Sequence, residues 1–257
     1  VSAPNLGPRF AHLHVHTEFS LLDGACRIEH LVTRASQFSL AGLAITDHGA
    51  LYGAIPFYKA CRRRRIKPII GCEVYLAPRS RHDRQGKADS DLHHLVLLAE
   101  NRTGYHNLIA LVTDSHLEGF YYKPRVDREL LSRYAEGLIA LSACLAGEIP
   151  TLILQQREEQ AHRLAGEYCD LFGKDNFLLE LMDHRMPEQA RVNAALLKMA
   201  QDLGLGIVAT NDVHYLERQD AQTHDVLLCV QTNSTVEQPG RLRFPSDQFY
   251  LKSPAEM

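Results

Sequence analysis

The chain has 257 residues, a formal net charge of -3, 14 histidines and no tryptophan. With 45% hydrophobic and 23% charged residues it has the composition of a globular protein with a sizeable core, and its charge does not mark a broadly basic nucleic-acid surface. No apolar run reaches the roughly 18 residues that span a bilayer. The opening Val1-Ser2-Ala3-Pro4-Asn5-Leu6-Gly7-Pro8 lacks an apolar signal region, and the six cysteines show no C-x-x-C spacing. A cytoplasmic protein with reduced thiols and no membrane segment is expected.

A strand is predicted over 10–16, where His12, His14 and His16 alternate and so share one face; Asp23 follows shortly after. A helix over 27–39 leads to a strand over 42–46 that ends on Asp47-His48. The next helix, 54–65, closes in Arg62-Arg63-Arg64-Arg65-Ile66-Lys67, read as a solvated helix end whose cations oppose the negative pole of the dipole, with a phosphate-binding patch as the alternative. A strand over 68–76 carries Glu73, and the charged stretch 78–90 after it reads as a mobile loop. A strand over 94–99, a helix over 104–116 and a strand over 137–142 bring the chain to Cys144. Then come a helix (158–172), a strand (177–181) and a helix (187–203) in which Val192, Ala195, Leu196 and Met199 recur at helical spacing. A strand over 206–210 runs into Asp212 and His214, and a helix is expected over 219–230. At the end, Ser253-Pro254-Ala255-Glu256 has the pattern of a capping box with proline at the first helical position. Residues 1–257 are therefore expected to form a single domain, with 253–257 starting the next helix of a longer protein.

Seven strands alternating with helices predict a mostly parallel sheet. Donor side chains recur just past the ends of most predicted strands, where barrel enzymes gather their sites, so a closed barrel fits better than an open sheet. His94 departs from this rule, since it opens its strand, and spacing alone does not choose between His93 and His94. The candidate set is His14, His16, Asp23, His48, Glu73, His94, Cys144, Asp212 and His214. Nine mixed donors exceed one tetrahedral site. They suit two or three divalent ions bridged by Glu73 and a water or hydroxide, an arrangement for phosphoester hydrolysis. The thiol and imidazoles favour zinc, and the carboxylates tolerate manganese or magnesium.

The motifs His14-Val15-His16-Thr17, Thr46-Asp47-His48-Gly49, Gly71-Cys72-Glu73 and Asn211-Asp212-Val213-His214 resemble those of the polymerase-and-histidinol-phosphatase (PHP) family. The likeness is strongest to the form carried by bacterial replicative DNA polymerase α subunits. It rests on Phe19-Ser20-Leu21-Leu22-Asp23-Gly24, Lys67-Pro68-Ile69-Ile70-Gly71, Thr103-Gly104-Tyr105-His106-Asn107-Leu108, Glu118-Gly119-Phe120 and the ending from Phe249 to Met257. The resemblance implies an α/β fold, a distorted seven-stranded (β/α) TIM-like barrel with a trinuclear metal centre. It selects His94 over His93, includes Cys144, and leaves His12 outside the ligands. It implies a metal-dependent 3′–5′ exonuclease acting on single-stranded or primer 3′-end DNA, with Glu73, Asp212 and His214 catalytic. The other polymerase domains would follow in cis, and a separate proofreading exonuclease subunit is a possible partner. The alternatives are a metal-stabilised scaffold without catalysis and, less compatible with the polymerase-like stretches, a histidinol-phosphate-type phosphatase. No polymerase activity is expected of these residues alone. His82 and His184 fall outside the set and are expected to be dispensable.

Overall fold

The computed structural model describes residues 10–257. Its elements are β1 (Ala11–His12), α1 (Ile28–Gln37), β2 (Gly42–Ile45), α2 (Ala54–Arg63), β3 (Lys67–Leu76), β4 (His93–Ala99), α3 (Arg102–Leu117) and β5 (Arg125–Val126). They continue with α4 (Arg128–Tyr134), β6 (Leu138–Leu141), α5 (Glu148–Leu154), α6 (Glu158–Phe172), β7 (Phe177–Leu181), α7 (Pro187–Leu203), β8 (Gly206–Ala209) and α8 (Ala221–Gln231). All seven expected strands are present. The added β5 is a two-residue strand beside β3. Among the described residues no helix is long and apolar enough to cross a membrane.

The sheet runs β1-β2-β3-β4-β6-β7-β8 and curls until its ends meet. Beyond β1 and β8, Val15 pairs with Val213; His16 N–H donates to the Val213 carbonyl at 2.7 Å and Val213 N–H to the His14 carbonyl at 3.1 Å. Period-two alternation divides the apolar residues. Ala44, Val96, Leu98 and Leu141 fill the barrel interior, with Ile69, Ile139, Leu178 and Val208 against them. On the outer face Leu95, Leu97, Leu138, Phe177 and Leu179 pack with Leu108 and Leu111 of α3, Leu164 and Tyr168 of α6 and Leu196 of α7. Leu43 and Ile45 do the same under Leu31, Val32 and Phe57 of α1 and α2.

The sheet is mostly parallel, as expected, and the exception is β4, which runs antiparallel to both β3 and β6. This reversal brings the first residues of β4 to the barrel end where the other strands finish, and so explains why His94 opens its strand. Two expectations need correction. First, the strand predicted over 10–16 ends at His12 and bends at His14. His12 consequently leaves the face of His14 and His16; its Nε2 lies 2.8 Å from the Lys252 carbonyl oxygen.

Second, the 78–90 stretch is tied down rather than loose. Arg79 pairs with buried Asp89 at 2.8 Å, and Arg81 with Asp127 at 3.0 Å and Glu118 at 2.8 Å. The fully buried Arg125 of β5 donates to the carbonyls of Gly119 (2.9 Å), Asp89 (3.2 Å), Arg81 (2.6 Å) and Asp83 (2.8 Å). These contacts substitute for backbone pairing that an irregular segment lacks. Arg125→Ala leaves four acceptors without their donor and is expected to cost about 3–5 kcal/mol. Urea denaturation checks this, and a loss below about 1 kcal/mol would show that water replaces the guanidinium at little cost.

At the far end, Ser253 N–H donates to Glu256 Oε2 at 2.8 Å, the reciprocal bond of a capping box, and Met257 N–H returns to the Ser253 carbonyl at 3.2 Å. Residues 254–256 thus form a hydrogen-bonded turn.

Candidate metal centre

The barrel end where β2, β7 and β8 finish and β4 begins collects all nine predicted donors. His14 and His16 arrive on the bent continuation of β1, Asp23 on the loop after it, and His48 just past β2. Glu73 projects from the middle of β3, which extends beyond its parallel neighbour β2. Cys144 follows β6, and Asp212 and His214 follow β8. Asp212 has φ 42°, a left-handed conformation that Asp tolerates better than most residues.

Glu73 lies at the middle of the cluster. Its Oε1 is 3.4 Å from His14 Nε2 and 3.0 Å from His94 Nδ1; its Oε2 is 3.4 Å from His16 Nε2 and 2.7 Å from His48 Nδ1. Asp212 Oδ1 is 3.2 Å from both His14 Nε2 and His16 Nε2. Asp23 Oδ2 is 3.4 Å from His48 Nε2 and 3.8 Å from His214 Nε2. Cys144 Sγ is 3.9 Å from His94 Nδ1. His93 has the opposite parity on β4 and makes none of these contacts.

Three imidazoles are held from behind. His14 Nδ1 is 2.8 Å from Glu180 Oε1, His16 Nδ1 is 3.0 Å from Ser20 Oγ, and His214 Nδ1 is 2.8 Å from the Asp212 carbonyl. The Ser20 hydroxyl in turn donates to Asp47 at 2.9 Å, and Thr17 donates to the same carboxylate through its amide and its hydroxyl. Such bonds fix ring orientation and tautomer, leaving each Nε2 free to face the cluster. Seven buried side-chain atoms lack a hydrogen-bond partner among the described residues, and four belong to the donor set: Asp23 Oδ1, His48 Nδ1, Glu73 Oε2 and Asp212 Oδ1. Unsatisfied buried atoms converging on one another are costly unless something binds between them. Three overlapping groups have mutual donor distances suited to an ion: His16/His48/His214, His14/His16/Glu73 and His48/Glu73/His94. The residues present therefore fit several divalent cations.

The electrostatics agree. Burial alone raises the Glu73 carboxyl, but His94, His48 and His14 outweigh it and hold it well below the usual carboxylate range. Asp23 and Asp212 are likewise lowered by neighbouring imidazoles against burial. His48 is raised to about 10, the Glu73 and Asp23 carboxylates overcoming desolvation. His16 falls to about 3 through burial and the adjacent His48 and His214. Burial and the Asp212 and Glu73 charges push the Cys144 thiol well above its normal range, so its thiolate forms only against a cation.

These shifts set the pH dependence of the metal-free protein. Burial lowers His12, His184 and His224 to about 4, and His16 lies lower still. The unfolded chain binds those four protons first, so stability falls as pH drops below about 6.5. The raised pKa of His48 gives stability that is complete below about 6.5 and disappears as pH rises through about 10. Melting in excess chelator is expected to peak between slightly acidic and neutral pH. A melting temperature unchanged from about pH 7 down to about pH 5 would contradict the four buried neutral rings.

Sequence reasoning left the burial of one residue unread and missed another. His184, expected to be dispensable, is fully buried. Its Nε2 is 3.0 Å from the Asn211 carbonyl, its ring lies 3.8 Å from that of Phe249, and Gln189 bonds its Nδ1 at 2.8 Å. It thus holds the backbone beside Asp212. Glu180 was missed because it sits within the apolar run Phe177-Leu178-Leu179-Glu180-Leu181; a carboxylate inside such a run is the available signal. His12 lies outside the cluster, as the resemblance implies, and His82 is exposed.

A family model described as PHP domain matches residues 12–184. The chain is 50% identical over 253 residues to the DNA polymerase III subunit alpha of Thermus aquaticus, covering 97% of this chain and 21% of that protein. It is 49% identical over 249 residues to the same-named protein of Treponema pallidum, covering 96% and 21%. The chain thus spans about a fifth of the length of these curated relatives. A solved amidohydrolase from Chromobacterium violaceum aligns at TM-score 0.47 and 17% identity, over 79% of this chain and 87% of that one. By its match over residues 12–184, the chain belongs to the PHP domain family.

Proposed function

We propose that this chain is the PHP domain of a replicative polymerase α chain and acts as a metal-dependent phosphodiesterase that removes nucleotides from a DNA 3′ end. The observation that carries the reading is the convergence of nine donors, four of them with unsatisfied buried atoms, on Glu73 and Asp212. His14, His16, Asp23, His48, Glu73, His94, Cys144, Asp212 and His214 would hold two or three divalent ions, zinc by the thiol and imidazoles and manganese or magnesium by the carboxylates. Such ions, when bound, supply an acidified water and compensate charge on the attacking and leaving oxygens of an in-line displacement at phosphorus.

The remaining work falls to the chain. Glu73 reaches imidazoles on both sides with its two oxygens, setting the spacing of the sites. Asp212 and His214 fix the face beside the barrel seam. His14 and His16 are wholly buried, whereas the His94, Asp23 and His48 side chains retain 20%, 12% and 11% exposure, so substrate approaches from their side. The similarity to polymerase α subunits favours a DNA 3′ end over a small phosphomonoester.

The test is to load purified protein with manganese or zinc and supply a 5′-labelled single-stranded oligonucleotide beside a chromogenic phosphomonoester. Stepwise shortening from the 3′ end is expected. Cleavage of the monoester alone would replace this reading with a small-molecule phosphatase. A second reading, a non-catalytic scaffold that docks a proofreading exonuclease, is favoured by one feature: the donors flank the closure of the barrel at Val15 and Val213.

A further inference from the structure

Glu180 is not among the nine donors, yet it is one of the most enclosed charged groups in the chain. Its side chain is fully buried, and it sits on β7, 166 residues after the histidine it contacts. Its Oε1 accepts from His14 Nδ1 at 2.8 Å and from the Thr210 hydroxyl, while its backbone N–H donates to Ser142 Oγ at 2.9 Å. Three strand ends therefore fix its position. Its other oxygen, Oε2, has no partner, and among the described residues no lysine or arginine pairs with it.

A carboxylate buried in this way is costly unless a positive charge compensates it. A neutral imidazole donates one hydrogen bond and compensates little. An imidazole with a divalent cation on its far nitrogen carries part of the ion's charge to the near one, and that charge Glu180 can meet. His14 is placed for such an arrangement, with Nδ1 on Glu180 and Nε2 3.2 Å from Asp212 and 3.4 Å from Glu73.

We propose that Glu180 is a positioning residue of the metal centre: it holds His14 in the Nδ1–H tautomer with Nε2 turned to Asp212 and Glu73, and its charge strengthens ion binding there. This rests on the metal-centre reading above but not on the phosphodiesterase activity. His16 is backed by a neutral hydroxyl and His214 by a carbonyl, so of these three histidines only His14 has a carboxylate directly behind it. The site served by His14 is accordingly the one that Glu180 tunes.

Metal-free wild type and Glu180→Gln, which keeps the size of the side chain and removes its charge, are titrated with zinc against a chromophoric competing chelator. The tightest-bound ion that His14 contacts is expected to bind 10–100-fold more weakly, in the range found for carboxylates behind metal-bound histidines. Melting of the metal-free variants serves as the control for the fold. Because Gln can still accept from His14 Nδ1, a loss of zinc affinity in Glu180→Gln separates positioning by charge from a merely structural hydrogen bond. Glu180→Asp, which keeps the charge, should recover part of the affinity. Unchanged zinc affinity in Glu180→Gln, or a lower metal-free melting temperature as its only effect, overturns the proposal. Wild type that binds no zinc overturns it together with the metal centre. Wild type that binds zinc with the expected Glu180 dependence but leaves DNA intact supports it and removes only the phosphodiesterase reading.

Discussion

Replacing Asp212 with Asn is expected to cut nucleotide release from a single-stranded 3′ end by about a thousandfold or more, with the barrel still folded. One oxygen of Asp212 serves two imidazoles, lying 3.2 Å from His14 Nε2 and from His16 Nε2, and it has no hydrogen-bond partner. Asn keeps the shape but loses the charge, so an ion at that position loses an anionic donor. The choice of Asn rather than Ala matters because residue 212 has φ 42°, which Asn adopts about as readily as Asp. The fold should therefore survive, and circular dichroism and melting on the same sample check it. His82→Ala in the exposed part of the 78–90 segment is a suitable control. His184→Ala is not, because His184 bonds the Asn211 carbonyl and its loss should lower the rate through the backbone of Asp212. Activity of Asp212→Asn within about tenfold of wild type would remove Asp212 from the reaction.

Much of the molecule can be read from its residues, and the parts that cannot have physical reasons. Alternation located all seven main strands because each has one face in the barrel and one under helices, as with Leu141 inside and Leu138 outside. Helix α6 has the predicted bounds, and so does α7, which begins at Pro187 and ends before left-handed Gly204. The short helices α4 and α5 were missed, since seven residues give too little periodicity. An N-cap was nonetheless present in Asp127, which accepts from Leu130 N–H at 3.0 Å. Strand direction was less legible. A parallel and an antiparallel strand have the same alternation, and the only trace of reversal in β4 was a histidine at its start instead of its end. The donors were legible because functional side chains at strand ends break an apolar pattern. The residues supporting them are harder to read: Ser20 and Asp47 lie within the recognised motifs and Glu180 interrupts an apolar run, but the supporting role of each shows only in its partners.

Stripping the metals is expected to lower the melting temperature by about 10 °C, through the barrel seam in particular. A ligand present at about a thousand times its dissociation constant stabilises the folded state by about 4 kcal/mol, and a domain of this size gains about 2–4 °C per kcal/mol. The seam localises the effect. Strand pairing there consists of two backbone bonds, His16 N–H to the Val213 carbonyl and Val213 N–H to the His14 carbonyl. The donors His14 and His16 lie on one side of that closure and Asp212 and His214 on the other. Without cations, Asp23, Glu73 and Asp212 are left with buried, unsatisfied oxygens around it. Ions held by donors from both sides would act as cross-links where the sheet has least backbone pairing. Chelation should therefore speed hydrogen exchange at the His16 and Val213 amides more than in the centre of β4, whose bonds to β3 and β6 do not depend on metal. Manganese or zinc should restore both melting and protection. If melting and seam protection respond in this way while the fully loaded protein leaves an oligonucleotide intact, the centre is a structural staple and the scaffold reading replaces the nuclease. If chelation abolishes cleavage without moving the melting temperature, the ions serve chemistry alone, and the seam is held by its own packing around buried Val15 and Val213.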